Sequence, residues 1–210
     1  MGSDPDSYQV NPCLIASKLT SDAVLGYHTA LEFHGKAYTV FRRYYYISSS
    51  KSLPLEFQSN EFLRAPVPPS LQMKNKAHFG TSTYKISGVD IRVTDLERTF
   101  VDVLDRTDLG GGLEEVWRSL ESIEFFDMDK VIKYVRLLSN STTAARVGFF
   151  LDRHRESLMI EEKHLKPLRK LRPGQPHYFE RGKRKDCQFV KDWNLLVPVS
   201  LMNKSWEEVL

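Results

Sequence analysis

The feature that most constrains this sequence is a change of hydrophobic period near residue 94. Upstream, apolar residues gather in short aromatic and β-branched runs, which suit strands. Downstream, they recur at helical spacing over roughly eighty residues. A chain ordered in this way folds as a mixed α/β (α+β) protein. A small, mostly antiparallel sheet comes first, a helical segment follows, and short strands close the C-terminal end.

The expected strands are Tyr38 to Ser48, Glu61 to Pro66, Thr81 to Ser87 and Val89 to Val93. The last two are joined at Ser87-Gly88, a dipeptide suited to a tight hairpin. Ahead of them, a helix is expected after Ser21 or Asp22, with Gly35 closing it in the left-handed conformation that glycine adopts at little cost. Thr94-Asp95-Leu96-Glu97 has the form of a capping box with Thr94 as N-cap, opening a helix to about Arg106. Further helices are expected over Leu113 to Ile123, Asp129 to Leu138, Thr142 to His154 and Glu161 to Leu171, the last kinked or split by Pro167. Short strands are expected around Tyr178, Phe189 and Leu195 to Val199. Residues 1–9 read as a tag or disordered terminus, and 10–210 as one domain with a basic subregion over 153–210.

Hydrophobic residues at 41 % and charged residues at 27 % argue against a disordered or fibrous chain. No apolar run approaches the ~18 to 20 residues of a membrane span, so no membrane partner is expected and the cytoplasm is the default compartment. Cys13 and Cys187 lie far apart with no CxxC spacing and read as two half-buried thiols. The net charge of +3 conceals a strong asymmetry. Eleven acids face three arginines between Asp95 and Asp129, whereas twelve bases face five acids between Arg153 and Lys191. Such a distribution either steers an acidic partner toward one end or is balanced internally.

Three constellations bear on chemistry. Gly110-Gly111-Gly112 invites a phosphate-loop reading, but lacks the lysine and hydroxyl of a nucleotide loop and is followed by Glu114 and Glu115, so a helix-to-helix turn is favoured. Asp90, Asp95, Glu97, Asp102 and Asp105, with Glu161-Glu162-Lys163, suggest a metal-dependent nuclease, because carboxylate oxygens suit Mg²⁺. Capping, dipole complementarity and solvation account for most of these acids. The six histidines, His28, His34, His78, His154, His164 and His177, show no metal-binding spacing. No cofactor is expected, and no residue is assigned a catalytic or metal-binding role.

The strongest binding feature is the basic run Arg181, Lys183, Arg184 and Lys185, with Arg169, Lys170 and Arg172 upstream and Tyr178 and Phe179 interleaved. Bases gain affinity by releasing counterions from phosphates, and aromatics stack on nucleobases, so operator DNA or RNA is the expected ligand. A solvated hairpin turn is the competing reading.

The order of motifs adds a family resemblance. Ile15-Ala16-Ser17-Lys18-Leu19 precedes Tyr27-His28-Thr29-Ala30-Leu31-Glu32-Phe33-His34-Gly35. His78-Phe79-Gly80, the run Val93 to Arg106 with Gly110 to Val116, and Ala145-Arg146-Val147-Gly148-Phe149-Phe150-Leu151 follow in turn. Over roughly Val10 to His154 this set resembles the AbiEi-type antitoxins, predicted transcriptional regulators of phage-defence systems. The resemblance implies an antitoxin that opposes a nucleotidyltransferase toxin encoded beside it and represses their shared operon. It also implies that the protein is not an enzyme, and that an N-terminal winged helix reads operator DNA in most members, a module this sequence starts after. The leading expectation is the effector and antitoxin region of such a regulator. A metal-dependent nuclease and a non-catalytic nucleic-acid-binding module are the alternatives.

Overall fold

The computed structural model describes residues 9–180, 182, 185–204 and 206. Its first helix, α1 (Pro12–Lys18), was absent from the sequence reading, although Asn11 caps it and Pro12 supplies the preset φ of a first helical residue. Next comes the short strand β1 (Val24–Leu25), and then α2 (Tyr27–Phe33). The helix expected from Ser21 or Asp22 is therefore corrected to one that begins only after Gly26. The reason is the sheet: Val24 and Leu25 pair with Ile47 and Tyr46 on one side, and Leu25 pairs with Val93 on the other. Asp22 caps no helix. It accepts hydrogen bonds from the Ser48 hydroxyl at 2.5 Å and the Ser49 amide at 2.7 Å. Gly35 does close α2, with φ +65°.

The first sheet continues with β2 (Arg43–Ser48), β3 (Leu55–Phe57), β4 (Asn60–Pro66), β5 (Thr81–Ile86) and β6 (Val89–Thr94). The short helix α3 (Pro69–Met73) follows β4. The six strands run in the order β3-β4-β2-β1-β6-β5. β1–β2, β3–β4 and β5–β6 pair antiparallel, while β1–β6 and β2–β4 pair parallel. The hairpin at Ser87-Gly88 is present, both residues having positive φ.

The helical part comprises α4 (Leu96–Asp105), α5 (Leu113–Glu121), α6 (Met128–Leu138), α7 (Ser141–Arg153) and α8 (Glu162–Leu171). Asp95, not Thr94, is the N-cap of α4, accepting from the Arg98 amide at 2.9 Å. Thr94 ends β6 instead and bonds the Thr99 hydroxyl, while Glu97 accepts from the Asp127 amide at 3.0 Å. Pro167 neither splits nor ends α8, which is assigned as one helix through it. The C-terminal elements are β7 (His177–Tyr178), β8 (Cys187–Val190), β9 (Leu195–Pro198) and α9 (Val199–Met202). The three strands form a second small sheet, ordered β7-β9-β8.

Alternation along β2 divides the interior into two layers. Tyr44 and Tyr46 join Ala16 of α1, Leu25 and Phe62 in a smaller apolar cluster. Tyr45 and Ile47 face the larger cluster, built mainly by α4 to α8. Trp193, Leu195 and Val197 belong to that same larger cluster, so the C-terminal sheet shares the core of the helices rather than having its own. The contact is close at one point. An added Cβ on Gly148 of α7 would lie 2.0 Å from the Trp193 ring, whose Nε1 donates to Asp152 Oδ2 at 2.9 Å. Among the described residues, no helix is long and apolar enough to cross a membrane.

Candidate functional site

The motif segments separated in sequence meet around the Gly110–Gly112 turn. His28, on α2, is fully buried, with Nε2 3.1 Å from Glu115 Oε1 and Nδ1 3.2 Å from Glu32 Oε1. Phe41 stacks on the imidazole with ring centroids 4.1 Å apart. The same carboxylates tie down the segment expected to begin a strand at Tyr38, which becomes strand only at Arg43. Thr39 N donates to Glu115 at 2.9 Å, Phe41 N to Glu32 at 2.7 Å, and Tyr38 N to Ser119 Oγ at 2.9 Å. These side-chain acceptors take the place of a strand partner. Burial opposes ionisation of Glu115, but hydrogen bonds from Thr39, His28 and Ser119 outweigh it and hold the carboxyl below its ordinary value.

The triple glycine serves this packing. A Cβ on Gly111, whose φ is +96°, would sit 2.6 Å from Phe41 Cε2 and 2.7 Å from Glu115 Cγ. A Cβ on Gly110 would meet Val116 Cγ2 at 2.3 Å. The run is a close-packed helix-to-helix turn, as the sequence favoured, and Gly112 is the N-cap of α5.

A second buried network lies on α4. Arg98 Nε donates to Asp102 at 3.2 Å, its Nη1 donates to the carbonyls of Ala77 and Phe79 at 2.7 and 2.8 Å, and Tyr134 donates to Asp102 at 2.5 Å. Burial pushes the Asp102 carboxyl up against the pull of Arg98 and Tyr134. From α7, Arg146 donates to the carbonyls of Leu104 and Asp105 at 3.0 and 2.9 Å, satisfying the C-terminal end of α4. Asp105 in turn accepts from Asn140 at 3.0 Å and from Thr143.

A groove of about 990 Å³ opens beside the glycine turn, lined by Phe41, Arg42, Tyr45, Phe57, Asn60 and Gly111. Two smaller depressions, of about 570 and 440 Å³, adjoin it through Gly112 and carry Glu180 on their walls. Gly111 to Glu115 line the 570 Å³ depression beside Phe41, which stacks on the buried His28, and Arg146 lines the 440 Å³ one.

The bases expected to bind nucleic acid are distributed differently. Arg169 is engaged within the molecule, pairing with Glu162 and lying 5.3 Å from the Trp193 ring centroid. Lys170 is exposed on α8, Arg172 half-buried at its C-cap, and Lys185 exposed just before β8. Arg181, Lys183 and Arg184 lie outside the described residues. On α8, the exposed Lys163, Lys166 and Lys170 lie on the face opposite the buried Leu165 and Leu168, a stripe the sequence reading missed although its spacing is helical.

The acids of the nuclease reading do not converge. Asp95 and Glu161 are N-caps, Asp102 and Asp105 are held in the networks above, and Asp90 is exposed on β6. Among the described residues, no group of three or more His, Cys, Asp or Glu side chains is placed to hold a metal ion. Among the described residues neither cysteine forms a disulfide and both are half-buried, and burial with the nearby Glu32 raises the Cys13 thiol to about 11. The sequence reading also missed the His28 cluster, whose one local signal is Glu32 four residues along the same helix face.

Fold and site together define an α/β domain in which two buried polar networks, one at His28 and Glu115 and one at Asp102, Asp105 and Arg146, lie beside the grooves. The RV2827C protein from Mycobacterium tuberculosis shares this fold: its crystal structure matches with a TM-score of 0.59 and 16 % identity over 94 % of this chain and 72 % of that chain. No family model matches the sequence. No curated protein matches it either.

Proposed function

We propose that this chain is the effector and antitoxin region of an AbiEi-like regulator, counteracting a nucleotidyltransferase toxin. One observation carries the reading. Three of the five segments on which the resemblance rests, 27–35, 93–116 and 145–151, are far apart in sequence yet joined by polar contacts. His28 bonds Glu115, His34 bonds the Thr94 carbonyl at 2.7 Å, and Arg146 bonds the Leu104 and Asp105 carbonyls. Contacts between motif segments distant in the chain support reading them as one unit.

The test is bacterial growth with the neighbouring nucleotidyltransferase induced, with and without this chain. Rescue is expected. Persistent arrest, with the chain shown to be folded and present, overturns the reading.

A second reading, a nucleic-acid-binding module, is favoured by the Lys163, Lys166 and Lys170 stripe. Replacing these lysines and Lys185 with glutamine is expected to weaken DNA or RNA binding and to flatten its salt dependence. Unchanged binding removes this reading.

A further inference from the structure

The small C-terminal sheet has two faces, and one of them joins the core. Leu195 and Val197 of β9 turn inward to the helices, with Val190 of β8 packed against the same cluster. Side chains alternate along a strand, so Leu196 turns outward. It is paired with Tyr178 of β7 on one side and with Phe189 of β8 on the other. Paired residues share a face, so the three form a row across the outside of the sheet. Both ends of the row are aromatic and open to solvent, Tyr178 being 36 % and Phe189 46 % exposed. Two strand spacings, roughly 10 Å, separate the rings.

The charge around this row is positive. From Arg172 to Asp192 the sequence has six bases, Arg172, Arg181, Lys183, Arg184, Lys185 and Lys191, against the three acids Glu180, Asp186 and Asp192. Lys185 and Lys191 are exposed and stand beyond the two ends of β8, the strand that carries Phe189. Of the acids, Glu180 is turned to the depressions beside Gly112, while Asp186 and Asp192 adjoin the lysines and leave the segment basic. Single exposed rings on a surface need no explanation. Two rings fixed by strand register on one flat face, beside cations, supply what a single-stranded nucleic acid requires: a π-face for each unpaired base and positive charge for its phosphates. A duplex keeps its base faces within its own stack and offers this surface only phosphates.

We propose that the outer face of the C-terminal sheet is a stacking platform for single-stranded nucleic acid. Tyr178 and Phe189 each take one nucleobase, Leu196 forms the floor between them, and Lys185 and Lys191 draw the phosphates. The proposal deepens the nucleic-acid-binding reading and rests on it, and it is independent of the antitoxin reading. It is also separate from the lysine stripe of α8, which meets the phosphates of any nucleic acid, whereas the platform requires unpaired bases.

Fluorescence anisotropy with the full chain tests this, using labelled single strands of about 12 nucleotides, one RNA and one DNA of the same sequence, and the blunt DNA duplex of that sequence, each over a range of salt. The wild-type chain is expected to bind a single strand about tenfold or more tightly than the duplex. Phe189→Leu and Tyr178→Leu keep an apolar side chain on the sheet while removing the ring. Each is expected to weaken single-strand binding by about tenfold without changing the slope of affinity against salt, because stacking releases no counterions. Phe189→Trp keeps a ring and is expected to retain binding. Lys185→Gln with Lys191→Gln is expected to flatten the slope. Phe125→Leu, which removes an exposed ring just before α6, is the control with unchanged affinity, and thermal melting of each variant checks that the sheet is intact. Binding confined to the RNA or to the DNA strand supports the platform and identifies which of the two it takes. Leucine variants that bind as tightly as wild type, a wild-type preference for duplex, or leucine variants that alter only self-association overturn the platform and leave the nucleic-acid reading to α8. No binding to any of the three probes overturns both.

Discussion

His28 and Glu115, 87 positions apart in sequence, meet inside the protein at 3.1 Å, and the loop carrying Phe41 is fastened over them. The Nε2 of His28 is bonded to Glu115, while its Nδ1 stands 3.2 Å from Glu32 Oε1 without a hydrogen bond among the described residues.

Replacing His28 with alanine removes the hydrogen bond to Glu115 and the buried ring stacked on Phe41, and is expected to cost about 3 to 5 kcal/mol. Urea unfolding should show a lower midpoint with an unchanged slope. Because the folded-state value of Glu115 is depressed, its own contribution is present above the ordinary carboxylate range and lost as pH falls below it. Wild-type stability against the Glu115→Gln variant, measured across that range, checks the sign.

Gly111→Ala and Gly35→Ala separate two costs of losing a glycine. At Gly35, φ is +65° with nothing within 4 Å of the new methyl group, so only the left-handed penalty of about 1 kcal/mol applies. At Gly111 the methyl group also strikes Phe41 and Glu115, and a loss of about 2 to 4 kcal/mol is expected. Equal melting temperatures for the two variants would refute the packing account of the glycine turn.

Glu121 sets an acid limit on stability. Burial opposes its ionisation, but hydrogen bonds from His154 and Lys204 outweigh it and bring the carboxyl from 4.5 down to about 2. A carboxyl depressed on folding stabilises when ionised, so this contribution is complete above pH 4.5 and disappears as pH falls toward 2. With the side chain 23 % exposed, it amounts to roughly 2 to 3 kcal/mol. Glu121→Gln should therefore be less stable at neutral pH, with the gap narrowing in acid.

Gly148→Ala places a methyl group inside the Trp193 ring and should cost about 3 kcal/mol or more, because neither α7 nor a fully buried indole has room to yield. Tryptophan fluorescence of the folded variant, compared with wild type, would report displacement of that ring.

What the sequence made legible was local. Asn140, Asp127 and Gly35 mark helix ends by chemistry that acts within a few residues, and those ends lie close to where the sequence puts them. What it concealed depends on partners distant in the chain. Val24 and Leu25 have helical neighbours, yet become strand because Ile47, Tyr46 and Val93 pair with them. Tyr38 to Phe41 have the composition of a strand, yet their amides go to Ser119, Glu115 and Glu32, and tertiary contacts override propensity. The basic residues were visible as charge, but only the structure separates Arg169, already paired, from the exposed Lys170. The alignment of Tyr178 and Phe189 across Leu196 had no sequence signature, since strand pairing alone sets it.

The indole lying against Gly148 also governs how this protein can be dissected. Cutting the chain after α8 to remove the basic end would strip Trp193, Leu195 and Val197 from the helices and leave a bare apolar slot along α7. Such a fragment would aggregate or recruit unrelated proteins, and its loss of activity would say nothing about the bases removed. Point substitution of the lysines, with the indole left in its seat, is the cut that keeps the question intact.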